Sequence, residues 1–357
     1  MGRDRYMSRI RVGFVGVGFM GQLAHLANYV LLDDCEVVAI AEPRPDLAEA
    51  VARRYGVREV YTDHRELLER AEIDAVVASQ PFQRHASVVG DILEAGFPVF
   101  TEKPLCVSLD TGQRLVRTAE DRGLLHMVGY HKRSDPAIEH IRGMIDQWKI
   151  SGEHGAMRYV RITMPTGDWI GGGAEGLIKT DEAVPQGEME PPPDYLDEST
   201  GEKYISFINY YIHQVNLMRH ILGESYEVTF ADPSGRLMAV RSCSGVPGTI
   251  EMDPYSTSRD WQESLLVGFD SAYIEVNLPP PLASQRSGRV KVMTDNRSSL
   301  PTELFPTMPS ISAMRNQASN FISALRGNGA VPCDSREALE DLRVASDYVR
   351  LLQKTEG

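Results

Sequence analysis

Short, largely apolar runs stand at residues 10–15, 36–41, 58–61, 75–79, 98–102 and 124–129. Between them, residues 45–55, 63–70, 85–95 and 108–122 carry apolar positions at helical spacing, and the stretch QLAHLANYVLL after the first run is also helix-compatible. Repeated strand–helix order predicts a parallel, doubly wound α/β sheet, in which ligands sit beyond the carboxyl ends of the strands.

After Arg133 the rhythm changes. Residues 135–148 predict a helix. Candidate strands follow at 156–164, 226–231, 236–242, 248–252, 262–268, 272–278 and 289–293, separated by Gly, Pro, Asp and Ser turns at hairpin spacing. This predicts an α+β C-terminal domain with a large, mostly antiparallel open sheet and helices on one face. Helices at 310–327 and 335–353 close the chain. Leu339, Leu342, Ala345, Val349 and Leu352 give the second a core-facing stripe. The expected domains are 1–131 and 132–357, with a long loop at 165–203.

Composition narrows the classes. Of 357 residues, 42% are apolar, enough for packed cores, and the length favours two domains. Fifty acids against 37 bases give a net charge of -13, the wrong sign for a general nucleic-acid binder. The opening MGRDRYMSRI lacks the apolar core of a signal peptide, and no apolar run approaches the ~20 residues of a membrane span. Cys35, Cys106, Cys243 and Cys333 form no CxxC pair. They predict neither a disulfide framework nor a metal site, and they fit a cytoplasmic protein.

The candidate chemistry begins at Gly16-Val17-Gly18-Phe19-Met20-Gly21, a GxGxxG between a predicted strand and helix. Gly16 permits the tight turn, Gly18 lets a pyrophosphate approach the backbone, and Gly21 lets helix and strand pack closely. The helix start offers free N–H groups to the phosphates. Glu42 ends the second strand, where an acid accepts from a ribose 2'-hydroxyl and repels a 2'-phosphate; this puts NAD ahead of NADP, with Arg44 a partial offset. Glu42 alone also fits a solvated strand end. Glu102-Lys103-Pro104 closes the fifth run, and proline restricts the residue before it to extended geometry, fixing the direction of the lysine.

Three signatures in this order, GVGFMG, DAVVASQPFQRH (74–85) and EKP, resemble the glucose–fructose oxidoreductase, inositol dehydrogenase and rhizopine-catabolism family, Gfo/Idh/MocA. GYHKRSDPA (129–137) and HQVNLMRHILG (213–223) resemble its inter-domain link and its second-domain histidine helix, so the resemblance covers nearly the whole chain. It implies a Rossmann domain followed by a substrate and oligomerisation domain. It also implies that Lys103 touches the reacting oxygen beside the nicotinamide. Gln80, Pro81, His85 and Glu102 join Gly16, Gly18, Phe19, Met20, Gly21, Glu42 and Arg44 on the cofactor side. Phe82 stands where the family has asparagine, and His85 fits a structural bond at a helix start as well as a role at the site.

On the substrate side, residues 204–222 predict one helix with Asn209, His213, Asn216 and His220 on a shared face. That face reads as a cleft wall or as a solvated stripe. His213 matches the family's histidine, the candidate general base. Asn209 replaces the expected aspartate, so the ring gains orientation without charge assistance, and a lower pKa than that of an Asp-backed histidine is expected. The Pro165-to-Lys203 loop, with GGG at 171–173 and PPP at 191–193, reads either as a lid carrying Trp169 and Asp168 or as an oligomer arm or surface loop. Tyr130 and Lys132 in the link are candidate substrate contacts; inter-domain salt bridges explain such polar residues equally well.

The expected function is an NAD(P)-dependent oxidoreductase of a sugar, sugar derivative or cyclitol, without a metal. The assembly that the resemblance implies is a homo-oligomer, dimer or tetramer, built through the C-terminal sheet. Two alternatives stay open. One is a redox-neutral enzyme that oxidises its substrate transiently with tightly held NAD, permitting elimination or epimerisation. The other is an inactive nucleotide-binding regulator or scaffold.

Overall fold

The computed structural model describes residues 9–172, 174–184, 187–295, 297–298 and 300–356, with the side chains of 355–356 excepted. Most of MGRDRYMSRI and the last glycine of GGG lie outside the described residues. The chain divides into two compact units: residues up to Gly129 with Ala174–Pro191 and Gln317–Leu339, and Tyr130–Gly173 with Pro192–Asn316 and Glu340–Gly357.

The first unit is built on six parallel strands: β1 (Ile10–Val15), β2 (Cys35–Ala41), β3 (Glu59–Tyr61), β4 (Ala75–Ala78), β5 (Val99–Glu102) and β6 (His126–Gly129). Their order is β3-β2-β1-β4-β5-β6, so the strand order reverses between β1 and β4, the switch point at which such sheets bind dinucleotides. The helix after β1 departs from expectation: it is a π-helical turn, Gly21–Leu26, continued by the short α1 (Ala27–Tyr29). α2 (Pro45–Tyr55), α3 (His64–Arg70), α4 (His85–Glu94) and α5 (Leu109–Asp121) follow their strands as the periodicity predicts. Ala318, Phe321 and Ile322 complete the apolar core, with the Phe321 ring 5.8 Å from that of Phe100.

Residues 174–184 and 187–191 form a strap with neither helix nor strand among these described residues. It is pinned by backbone and carboxylate contacts that leave no periodic trace in the sequence. Arg54 donates to the Gly176 carbonyl at 2.6 Å, and the Gln22 amide pairs with both backbone groups of Ile178 at 3.0 and 3.1 Å. Glu182 accepts from the Asp46 and Leu47 amides at 3.1 and 3.0 Å. Glu190 accepts from Val107 N, Ser108 N and Ser108 Oγ at 3.1, 3.2 and 2.6 Å, and its own amide donates to the Gln83 carbonyl at 2.8 Å. Gln22, Asp46, Gln83 and Ser108 follow β1, β2, β4 and β5 respectively. The strap therefore crosses the carboxyl ends of four strands.

The second unit carries α6 (Pro136–Ser151), α7 (Glu198–Tyr210), α8 (Ile212–Leu222) and an eight-stranded sheet ordered β14-β13-β12-β11-β7-β10-β9-β8. The strands are β7 (Met157–Thr166), β8 (Tyr226–Ala231), β9 (Leu237–Ser242), β10 (Pro247–Ser256), β11 (Ser264–Phe269), β12 (Ala272–Asn277), β13 (Arg289–Thr294) and β14 (Thr302–Leu304), the last not anticipated. Only β7 and β10 pair parallel among the described strands of this sheet. Burial alternates along β9, β11, β12 and β13, so one face is covered, with α8 against β7 and β10 and α6 against β12 and β13.

One expectation is corrected. Residues 204–222 are two helices, α7 and α8, separated at Tyr211 (φ -98°, ψ -1°). Asn209 lies exposed in the last turn of the first, and His213 half-buried in the first turn of the second, so they do not share the face of one helix. Among the described residues no helix is long and apolar enough to cross a membrane.

Candidate active site

In the first unit, the glycine loop has the geometry its sequence requires. Gly16 adopts φ +87°, and a Cβ at Gly21 would stand 2.5 Å from the Gly16 carbonyl oxygen. Nothing but a side-chain tip, Arg44 Nη2 at 3.5 Å, approaches the position of a Cβ on Gly18, so the backbone there is open to a ligand. Phe19 and Met20 are half-buried in the loop. Glu42 is 2% exposed at the end of β2 and accepts from Val17 N at 3.0 Å and from Arg44 Nε at 2.6 Å. Arg44 is thereby turned onto Glu42.

At the carboxyl end of β4, the Ser79 hydroxyl and both amide atoms of Gln80 are buried without a hydrogen-bond partner among the described residues. Pro81 then starts a short 3-10 turn, Phe82–Arg84. Buried polar atoms without partners are costly in a protein interior. Here they flank the switch point, beside the open glycine loop, and they fit a bound dinucleotide.

Lys103 stands half-buried at the end of β5, and its bond to Pro104 is cis. Both flanks are held. Before it, Glu102 bonds His25 Nε2 at 2.6 Å and the Lys103 amide at 3.2 Å. Burial opposes ionisation of Glu102, but His25 and Lys103 together hold its carboxyl below the usual range. After it, His85 Nδ1 lies 2.9 Å from the Leu105 carbonyl, with the ring fully buried. Burial lowers the His85 pKa, the Leu105 bond only partly opposing it. His85 thus braces the lysine loop through Nδ1, its buried Nε2 having no hydrogen-bond partner among the described residues, and Glu102 ties His25 to the same loop.

In the second unit, the His213 ring packs edge-on against Tyr130 (5.9 Å between centroids) and His131 (4.6 Å). Tyr130 is buried, which suits a wall behind the histidine better than a substrate contact. Two other expected substrate contacts, Lys132 and Asn216, have partners within this unit. Lys132 Nζ forms an ion pair with Glu263 at 2.6 Å, both side chains being at most 5% exposed, and Gln214 donates to the other Glu263 oxygen at 2.6 Å. Asn216 accepts from Arg133 Nε at 2.6 Å and donates to Asp341 at 2.7 Å. Arg219 completes this buried array on Asp341 at 2.7 Å. These groups are tied to one another within the second unit, and Lys132 also lines a small pocket with His131 and Asp135. Trp169 is half-buried, and its carbonyl accepts from Leu282 N at 3.3 Å; Asp168 Oδ1 accepts from the amides of Ile170 and Gly171 at 3.2 and 3.1 Å.

His25, Glu182, Glu190, Glu263 and Asp341 escape sequence reasoning. Each acts through a partner remote in the chain, and nothing in its immediate neighbours marks it.

Residues 10–130 match the GFO_IDH_MocA family, described as an oxidoreductase family with an NAD-binding Rossmann fold. Residues 10–130 thus resemble that family's NAD-binding unit. Among characterised relatives, the chain is 27% identical over 225 residues to myo-inositol 2-dehydrogenase of Thermotoga maritima, covering 63% of this chain and 58% of the relative. It is 28% identical over 231 residues to scyllo-inositol 2-dehydrogenase (NAD(+)) of Bacillus subtilis, covering 64% and 58%. These matches thus span less than two thirds of the relatives' own length. Among solved structures, a putative NADPH-dependent oxidoreductase from Desulfitobacterium hafniense superposes with a TM-score of 0.77 at 16% identity, covering 98% of this chain and 96% of that one. At that identity the likeness speaks for the fold.

Proposed function

We propose that this protein is an NAD-dependent dehydrogenase that oxidises a secondary alcohol of a cyclitol or sugar to the ketone, and reduces the ketone in reverse. The observation that carries the reading is Lys103: a lysine braced on both sides by buried histidine contacts, at the carboxyl end of β5 in an NAD-binding Rossmann unit. The similarity to two inositol 2-dehydrogenases supports the substrate class.

Bound NAD supplies the hydride acceptor at nicotinamide C4. Lys103 stabilises the negative charge that grows on the substrate oxygen as the carbon–hydrogen bond breaks. His213 takes the hydroxyl proton, directly or through a water, so that the alcohol loses one hydride and one proton and becomes the ketone. Tyr130 and His131 pack on that ring and limit its rotation.

The test is reduction of NAD by a panel of inositols and sugars, followed through the absorbance of the reduced nicotinamide, with Lys103→Ala as control. Turnover of a cyclitol or sugar by the wild type, lost in the variant, is the expected result. Dinucleotide binding with no turnover on any member would sink the reading. The strap across four strand ends favours a second reading, in which NAD is retained and the hydride returned to the same substrate. Product formation without net NADH would select it.

A further inference from the structure

The strap does more than cross the cofactor edge, because one of its carboxylates is seated where a dinucleotide phosphate would otherwise find donors. In this fold the adenine ribose lies at the carboxyl end of β2. A 2'-phosphate there is held by a nearby arginine and by free amides at the start of the following helix. The start of α2 has two such amides. Pro45, at its first position, has no N–H, and the Ala48 amide already bonds the Arg44 carbonyl at 2.9 Å. Asp46 N and Leu47 N remain, and each donates to one oxygen of Glu182. Thr180 Oγ1 donates to Glu182 at 2.9 Å and fixes the carboxylate's orientation. The arginine of the pair, Arg44, is bonded to the buried Glu42. Both remaining amides and the Arg44 Nε are thus answered by carboxylates of the chain itself, and two acidic side chains bracket the position.

We propose that Glu182 is a cofactor-specificity residue, whose carboxylate occupies the start of α2 and so admits a dinucleotide with a free 2'-hydroxyl while refusing one with a 2'-phosphate. Glu42 alone discriminates through the ribose. Glu182 adds a second, separable discrimination, contributed by a segment more than a hundred residues away in the chain.

The test is fluorescence titration of NADH and of NADPH against the full-length wild type, Glu182→Gln and Glu182→Ala, with thermal melts alongside. The wild type is expected to bind NADH more tightly. Like charges brought together cost enough that removing one should tighten NADPH binding by about tenfold or more, while NADH stays within about threefold. Glu182→Gln keeps an acceptor for the amides without the charge, so it gives the answer even if Glu182→Ala is too unstable to assay. Glu190→Gln, which touches the start of α5 instead, is expected to leave the NADPH/NADH ratio unchanged. An unchanged ratio in both Glu182 variants, equal weakening of both dinucleotides, or a wild type that prefers NADPH or binds neither would overturn the proposal. The measurement reads binding without substrate, so it is independent of the roles given to Lys103 and His213. A protein that binds NADH selectively yet turns nothing over would count against the dehydrogenase reading alone.

Discussion

His85 donates its Nδ1 proton to the carbonyl oxygen of Leu105 across 2.9 Å, two residues beyond Lys103. A carbonyl can only accept, so the proton sits on Nδ1. His85→Ala would leave that carbonyl without its donor and is expected to lower stability by about 1–3 kcal/mol. If the brace orients Lys103, kcat falls while the Kd for NADH moves little. Denaturant melts and steady-state kinetics check both parts; full kcat in a destabilised variant would separate the brace from the lysine.

Lys103→Ala removes the charge that meets the reacting oxygen. A loss of roughly 10²–10³ in kcat is expected, the scale seen when one oxyanion donor is deleted. NADH affinity should be retained, as read by fluorescence titration.

The Lys132–Glu263 pair is buried on both sides. Lys132→Met strands a carboxylate in the interior and is expected to cost about 3–5 kcal/mol. Adding Glu263→Gln removes that charge and keeps an acceptor for Gln214, so the double variant should recover much of the loss. A double-mutant cycle by urea unfolding measures this, and strict additivity would argue against the pair.

Burial drives the His126 pKa from 6.5 down to about 3, with His85 adding a smaller push in the same direction. The folded value lies below the unfolded one. The stability this group contributes is therefore complete above the unfolded pKa and is lost as pH falls toward the folded one. Each pH unit in that window costs about 1.4 kcal/mol. His126→Gln should give a flatter stability curve from roughly pH 6.5 down to roughly pH 4. Parallel curves for wild type and variant would show that His126 does not titrate on unfolding.

Much of the first unit was legible because its signals are local. Buried strands read as apolar runs, and Gly16 and Gly21 are required by backbone approach within a few residues. The break at Tyr211 was hidden because neither glycine nor proline marks it and the apolar positions continue past it. Lys132 and Asn216 looked like site residues because a polar side chain in a motif gives no hint of its partner; Glu263 and Asp341 lie more than a hundred residues downstream. The strap was visible only as an unusual composition. Its carboxylates grip backbone amides, which have no sequence identity to read. The parallel β7–β10 pair was equally silent, since alternation reports which face a residue takes and not which neighbour a strand chooses.

The aromatic floor supplied by Phe321 has an implication for biosynthesis. A ribosome that has delivered every strand of the nucleotide-binding half still withholds Ala318, Phe321 and Ile322, which cover that half's interior around Phe100. The nascent half must wait, with apolar surface uncovered, until the segment around Phe321 has been made. A gene fragment cut after β6 would make that waiting state permanent.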